Sequence, residues 1–259
     1  MARLLDELSR PGPYEVLRGD LALVGLPGAV FTPRTGLNLP AIAFGHGWLQ
    51  PVERYRGLLR HLASWGIVTA APATQSGPFA SSRLLAADLR TALDVCVGVR
   101  LGDGDISVDP ARLGLAGHST GAGCAVLAAA EDPRVRAVAT LAASQTRPFA
   151  SEAARACAMP SLHLAGGRDI VAPPVAHAEL IARTWAGPSR LCVLPKSSHM
   201  AFTEGRHWSD LIVQGKGDST ARKLARGLLT AFFLHHLAGV KDYAALLEEP
   251  IKGTLPTAA

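Results

Sequence analysis

Short apolar runs alternate with longer amphipathic stretches along the whole chain. Residues 40–44, 67–71, 113–116, 135–141, 161–165 and 191–194 are four- to seven-residue apolar segments, rich in Val, Ile, Leu and Ala and bounded by Gly, Pro or polar clusters. This pattern predicts strands buried on both faces. Two more short runs, 21–25 and 28–33, are separated by Pro27-Gly28 and predict an antiparallel edge pair. Helical periodicity falls between the strands: 53–65, 82–97 with Ser81 or Ser82 as N-cap, the alanine-rich 122–130, a short piece at 151–158, and 219–237. An amphipathic N-terminal helix precedes them. Strands and helices alternating along the chain predict a mostly parallel central sheet with helices on both faces, formed by residues 1–259 as a single domain. The segment between the strands at 135 and 161 holds about one helix, too little chain for a large lid domain.

Composition supports a well-buried core. Of 259 residues, 48% are hydrophobic and 18% charged, which excludes a disordered chain. A net charge of +5 with scattered basic residues gives no nucleic-acid footprint. No apolar run approaches the length of a transmembrane helix. The N-terminus mixes charges into its apolar residues and lacks a signal-peptide core, so a cytoplasmic location is expected. Cys96, Cys124, Cys157 and Cys192 are unclustered, lack metal-ligand spacing and read as reduced core thiols.

The chemistry concentrates at Gly117-His118-Ser119-Thr120-Gly121, a G-x-S-x-G pentapeptide between a strand pattern and a helix pattern. Such a turn holds its serine in a strained backbone at a helix N-terminus, with glycines where strand and helix approach closely. A serine there needs a base, and the base an acid, following in the order Ser, acid, His beyond strand ends. Asp169 follows the strand at 161 through Gly166-Gly167, and His199 follows the strand at 191 through Pro195-Lys196-Ser197-Ser198. His118 and His163 read as packed structural histidines. Asp94, Asp103, Asp105, Asp109 and Asp132 read as solvated charges or caps. The Thr120 amide is one candidate oxyanion donor. The Trp48 amide, in the loop Gly45-His46-Gly47-Trp48 after the strand at 40, is the second. Trp48, Gln50, Phe79, Ile170, Val171 and Met200 are placed by their loops to line the cleft, with Phe79 equally able to pack its loop.

With these residues the chain resembles the α/β-hydrolase superfamily. Within it, the chain is similar to bacterial polyester hydrolases of the cutinase type and to chlorophyllases. The stretches 62–72, Gly45-His46-Gly47-Trp48, Gly117-His118-Ser119 and Asp169-Ile170-Val171-Ala172-Pro173 carry the likeness. The resemblance implies an α/β-hydrolase fold, a Ser119–Asp169–His199 triad, and an oxyanion hole from the Trp48 and Thr120 amides. Two departures bear on substrate. Ala143-Ser144-Gln145 lacks the aromatic clamp of the polyester hydrolases, and Thr120 replaces their usual methionine. The expected activity is hydrolysis of carboxylic esters through an acyl-enzyme, on short to medium acyl or lipid-like esters, without metal or cofactor. The same residues would serve a peptidase, amidase or thioesterase, and a noncatalytic small-molecule-binding relative is the alternative outside enzymes. A dehalogenase or epoxide hydrolase is disfavoured, because those chemistries want a carboxylate where this chain has Ser119.

Overall fold

The computed structural model describes residues 2–211, 216–251 and 253–255. In chain order its helices are α1 (Ala2–Leu8), α2 (Arg56–Ser64), α3 (Ser82–Gly98), α4 (Thr120–Glu131), α5 (Ala150–Ala153), α6 (Ala178–Thr184), α7 (Ser219–Ala238) and α8 (Ala244–Glu248). Its strands are β1 (Val16–Asp20), β2 (Gly28–Pro33), β3 (Gly36–Gly45), β4 (Val68–Pro72), β5 (Ile106–His118), β6 (Val135–Leu141), β7 (Ser161–Gly166) and β8 (Ser189–Leu194). They form one eight-stranded sheet in the order β1-β2-β4-β3-β5-β6-β7-β8. β1 and β2 run antiparallel at one edge and the remaining strands are parallel.

Alternate side chains of the central strands feed two cores. Ala41, Ala43, Leu113, Leu115 and Val138 pack against α3, α4 and α6 on one face. Ile42, Phe44, Ala116, Ala139 and Leu141 pack against α2 and α7 on the other. Both faces of each central strand are therefore dry, which is why these strands read as continuous apolar runs. The chain is an α/β-hydrolase fold. Residues 142–160, between β6 and β7, hold only α5 and a 3-10 turn at Ala154–Ala156, with no lid domain.

The N-terminal edge differs from the sequence pattern. Leu21–Val24 is a 3-10 turn, not a strand: the Asp20 side chain accepts from the Ala22 amide, and Gly25 ends the turn at φ 82°. Only Leu21 in that run is buried, so its apolar residues share no common face. The partner of β2 is the more polar β1, in the register Val16 to Pro33 through Asp20 to Ala29. β5 is also longer than its apolar core, because residues before Pro110 pair with β3 through an irregular register. The helix expected over 53–65 begins as a 3-10 turn at Val52–Tyr55. The piece expected over 151–158 is the four-residue α5 followed by its 3-10 turn.

The strand order places the site. From β3 the chain steps to β4 on one side and then crosses back to β5 on the other, leaving a crevice between the β3 and β5 ends. The loops carrying Trp48 and Ser119 both leave the sheet at that crevice.

Candidate active site

β5 ends at His118, and Ser119 turns the chain into α4 with φ 55° and ψ −124°. A non-glycine residue in that region stores on the order of 1–3 kcal/mol of strain and persists only where its surroundings hold it. Here the Ser119 amide donates to Leu141 O at 2.9 Å, while its carbonyl accepts from Ala122, Gly123 and Ser144 at 3.0, 3.2 and 3.1 Å. The glycines of the pentapeptide answer a close approach. A Cβ on Gly117 would lie 2.4 Å from Gly121 O, and one on Gly121 would lie 2.2 Å from Gly45 O. The elbow helix and the ends of β3 and β5 thus touch backbone to backbone.

Three residues far apart in sequence meet at this turn. His199 Nε2 lies 2.8 Å from Ser119 Oγ, and His199 Nδ1 lies 2.7 Å from Asp169 Oδ2. All three side chains are buried. The other Asp169 oxygen, Oδ1, accepts from the Val171 and Ala172 amides at 2.9 and 2.8 Å, which fixes the carboxylate plane. A carboxylate only accepts, so His199 Nδ1 carries the proton and Nε2 is left to accept the Ser119 hydroxyl. Proton accounting then settles a neighbour. Ser144 Oγ is 3.2 Å from Ser119 Oγ, and because the Ser119 proton points to His199, Ser144 is the donor.

The backbone supplies two free donors. Neither the Trp48 nor the Thr120 amide donates to a protein acceptor among the described residues. The Trp48 loop is a tight turn closed by Gln50 N to Gly47 O at 3.0 Å, with Leu49 at φ 56°. His46 braces it, its ring nitrogens lying 2.9 Å from Gly47 O and 2.7 Å from Thr74 O. The Trp48 indole donates to Pro78 O at 3.1 Å, tying this loop to the one carrying Phe79.

The predicted lining residues divide into two groups. Trp48, Phe79, Ile170 and Val171 are exposed on loops at the C-terminal ends of strands, and Phe79 at 97% exposure packs against nothing, so it does not brace its loop. Gln50 and Met200 are buried, at 2% and 1% exposure, and do not line an open cleft. Gln50 turns inward because a buried guanidinium needs acceptors: its Oε1 takes Arg54 Nη1 at 2.9 Å. Arg54 also bonds Thr203 Oγ1 at 2.9 Å and the Asp210 carboxylate, joining the Trp48 loop to the segment after His199. Met200 is buried within the 3-10 turn His199–Phe202, whose next two residues, Ala201 and Phe202, join the core.

Two residues at or near the site, Ser144 and Phe149, went unmarked by the sequence pattern. Ser144 lies in the very tripeptide noted only for lacking an aromatic residue. Phe149, four residues past Gln145, is exposed on the same connection, with Arg147 Cζ 6.0 Å from its ring centroid. His118 is fully buried, and burial pushes it down to about 3, so it is neutral. His163 is likewise buried in β7, with Nδ1 2.8 Å from Thr140 Oγ1. Asp94 and Asp132 both pair with Arg134, on its Nη2, at 2.7 Å. Among the described residues, no group of His, Cys, Asp or Glu is arranged to hold a metal ion, and no helix is long and apolar enough to cross a membrane.

A family model described as PETase, PET hydrolase-like, matches residues 11–208, a span that includes Ser119, Asp169 and His199. No curated protein matches the chain.

Proposed function

The chain belongs to the PET hydrolase-like family and is an ester hydrolase, and from that premise we propose that it is a serine carboxylesterase working through an acyl-enzyme. The observation that carries this reading is the contact series Asp169–His199–Ser119, at 2.7 and 2.8 Å, set on a strained elbow. Ser119 gives its proton to His199 Nε2 while Oγ adds to the ester carbonyl carbon. The Trp48 and Thr120 amides receive the oxyanion; each such donor is worth about 2.7–4 kcal/mol in the transition state. His199 then hands its proton to the departing alkoxide. Water enters, gives a proton to His199 and adds its oxygen to the acyl carbon; Ser119 Oγ then leaves, taking that proton back from His199, and the carboxylic acid is released. Asp169 stays ionised throughout and holds the imidazole tautomer.

For substrate, the exposed apolar residues Trp48, Ile170 and Val171 suit a short to medium acyl chain or a lipid-like ester. We read the chain as a single domain acting on a small-molecule ester in the cytoplasm, without cofactor. A second reading, an aromatic polyester as substrate, is favoured by the family match together with the exposed rings of Trp48, Phe79 and Phe149. Purified protein and a series of p-nitrophenyl esters separate the two. On the first reading kcat/KM rises roughly fourfold per methylene, from about 0.8 kcal/mol of burial each, until the cleft is filled. Aromatic polyester film is then hydrolysed far more slowly, and p-nitroanilides are poor substrates. Faster release of aromatic acid from film than of p-nitrophenol from the best ester would favour the polyester. Turnover of anilides at the ester rate, or of neither class, would refute the carboxylesterase reading.

A further inference from the structure

Two buried side chains join the loop carrying Trp48 to the loop carrying His199. The Gly47 amide donates to Tyr55 Oη at 3.1 Å, Tyr55 Oη lies 2.9 Å from His118 Nδ1, and His118 Nε2 lies 3.0 Å from the carbonyl of His199. Both rings have no exposed surface. They belong to a row of tilted ring contacts that reaches the candidate base: ring centroids are 4.9 Å apart for Phe44 and Tyr55, 5.6 Å for Tyr55 and His118, and 5.1 Å for His118 and His199. Gly47 packs against the junction, where a Cβ would sit 3.0 Å from His118 Nδ1 and 3.2 Å from the Tyr55 oxygen.

The direction of every bond in this series is determined. The His199 carbonyl only accepts, so His118 Nε2 carries the proton. His118 is neutral, so Nδ1 is bare and accepts the Tyr55 hydroxyl. The Tyr55 oxygen, its own proton committed, accepts from Gly47. No atom in the series is left over, and a buried network satisfied throughout is rigid. His118 is also bonded through the chain to Ser119, so one residue has a fixed relation to nucleophile, base and oxyanion loop.

We propose that Tyr55 and His118 are positioning residues that set the Trp48 amide and His199 at a fixed separation around Ser119. The inference rests on the serine-esterase reading and adds a source for its geometry. Neither ring touches substrate. Their contribution is to the placement of groups that do, and misplacement of reacting groups by about 1 Å costs on the order of 100-fold in rate.

Tyr55→Phe is the decisive variant, because it keeps the ring and its packing and removes one oxygen. Gly47 N–H and His118 Nδ1 then both lose their partner. With kcat counted per active site titrated by a fluorophosphonate, the expected loss is roughly 10- to 100-fold, with KM within about twofold. Affinity for a boronic acid that mimics the tetrahedral state falls by the same factor as kcat/KM. A merely structural role would lower the melting temperature and the number of titratable sites but leave kcat per site and boronate affinity alone. The Tyr55→Phe/His118→Gln double variant is expected to lose no more than the worse single variant, since both break one series. Nitrogen NMR of the wild-type protein reads the series without any substitution: His118 must show the Nε2–H tautomer throughout the pH range of activity. An Nδ1–H tautomer, unchanged kcat per site and boronate affinity in Tyr55→Phe, or losses that multiply in the double variant would each overturn the proposal. Failure of the wild-type protein to label at Ser119 would instead overturn the esterase reading, before any variant is compared.

Discussion

Replacing Asp169 by Asn tests the tautomer logic of the site, and the surroundings dictate which way the new amide turns. Asp169 Oδ1 accepts two backbone N–H groups, from Val171 and Ala172, at 2.9 and 2.8 Å. An asparagine must leave its oxygen there. Turned round, its NH2 would face those two donors and leave both unpaired, one buried and one partly buried, at about 1–3 kcal/mol each. The NH2 therefore faces His199 Nδ1, now 2.7 Å from the carboxylate, and forces that nitrogen to accept. The imidazole proton moves to Nε2, where it points at Ser119 and can no longer receive the Ser119 proton. Restoring the working tautomer means leaving those two donors unpaired, about 2–6 kcal/mol together. That range brackets the ~10³–10⁴-fold loss such a tautomer error brings, which is about 4–5.5 kcal/mol. The assay is kcat on a p-nitrophenyl ester, with the rate of fluorophosphonate labelling measured in parallel and a thermal melt to show an intact fold. Both rates fall together on this reasoning. A variant that keeps kcat within about tenfold of wild type would refute it.

Other consequences follow from buried groups. Gly121→Ala sets a Cβ 2.2 Å from Gly45 O, backbone against backbone, so a loss of about 1–3 kcal/mol and a fall of several degrees in Tm is expected; an unchanged melt would show that the elbow has room. His118 and His163 are both pushed by burial down to about 3, well below the ~6.5 of an unfolded histidine. Their stability contribution is complete above pH ~6.5 and is lost as the pH falls toward 3, because only the unfolded chain takes up the protons. The unfolding free energy from urea titrations should therefore drop steadily from pH 7 to pH 5, by up to about 1.4 kcal/mol per pH unit for each histidine, and a flat profile would contradict neutral burial.

Much of this molecule is written in local pattern. The six core strands announce themselves because both faces of each are dry, and the elbow because its glycines are demanded by backbone contacts within a few residues. Ser119, Asp169 and His199 could be picked out in order because each follows a strand end. What escaped depends on contacts across long separations. Tyr55 and His118 are 63 positions apart, and nothing in either neighbourhood marks the pair. Arg54 looks like one more surface arginine on an amphipathic stretch, yet it lies buried between Gln50 and Thr203, and that is why Gln50 turns away from the cleft. The edge strand Val16–Asp20 was hidden for the opposite reason: it is largely exposed, so no alternation marks it, while the apolar run beside it is a turn. Backbone hydrogen bonding, not burial, makes β1 a strand.

The central claim is that Ser119 is the nucleophile, and covalent labelling tests it most directly. Wild-type protein and Ser119→Ala are each incubated with a fluorophosphonate, and intact mass and peptide mapping locate the adduct. The hydroxyl is buried beside His199 but belongs to no structural network beyond Ser144, so the alanine variant folds and melts as wild type does. The expected result is one adduct per wild-type chain, on the peptide containing Ser119, and none on the variant, with ester turnover lost by several orders of magnitude. An alanine variant that labels stoichiometrically, or that still hydrolyses esters at the wild-type rate, would contradict the claim.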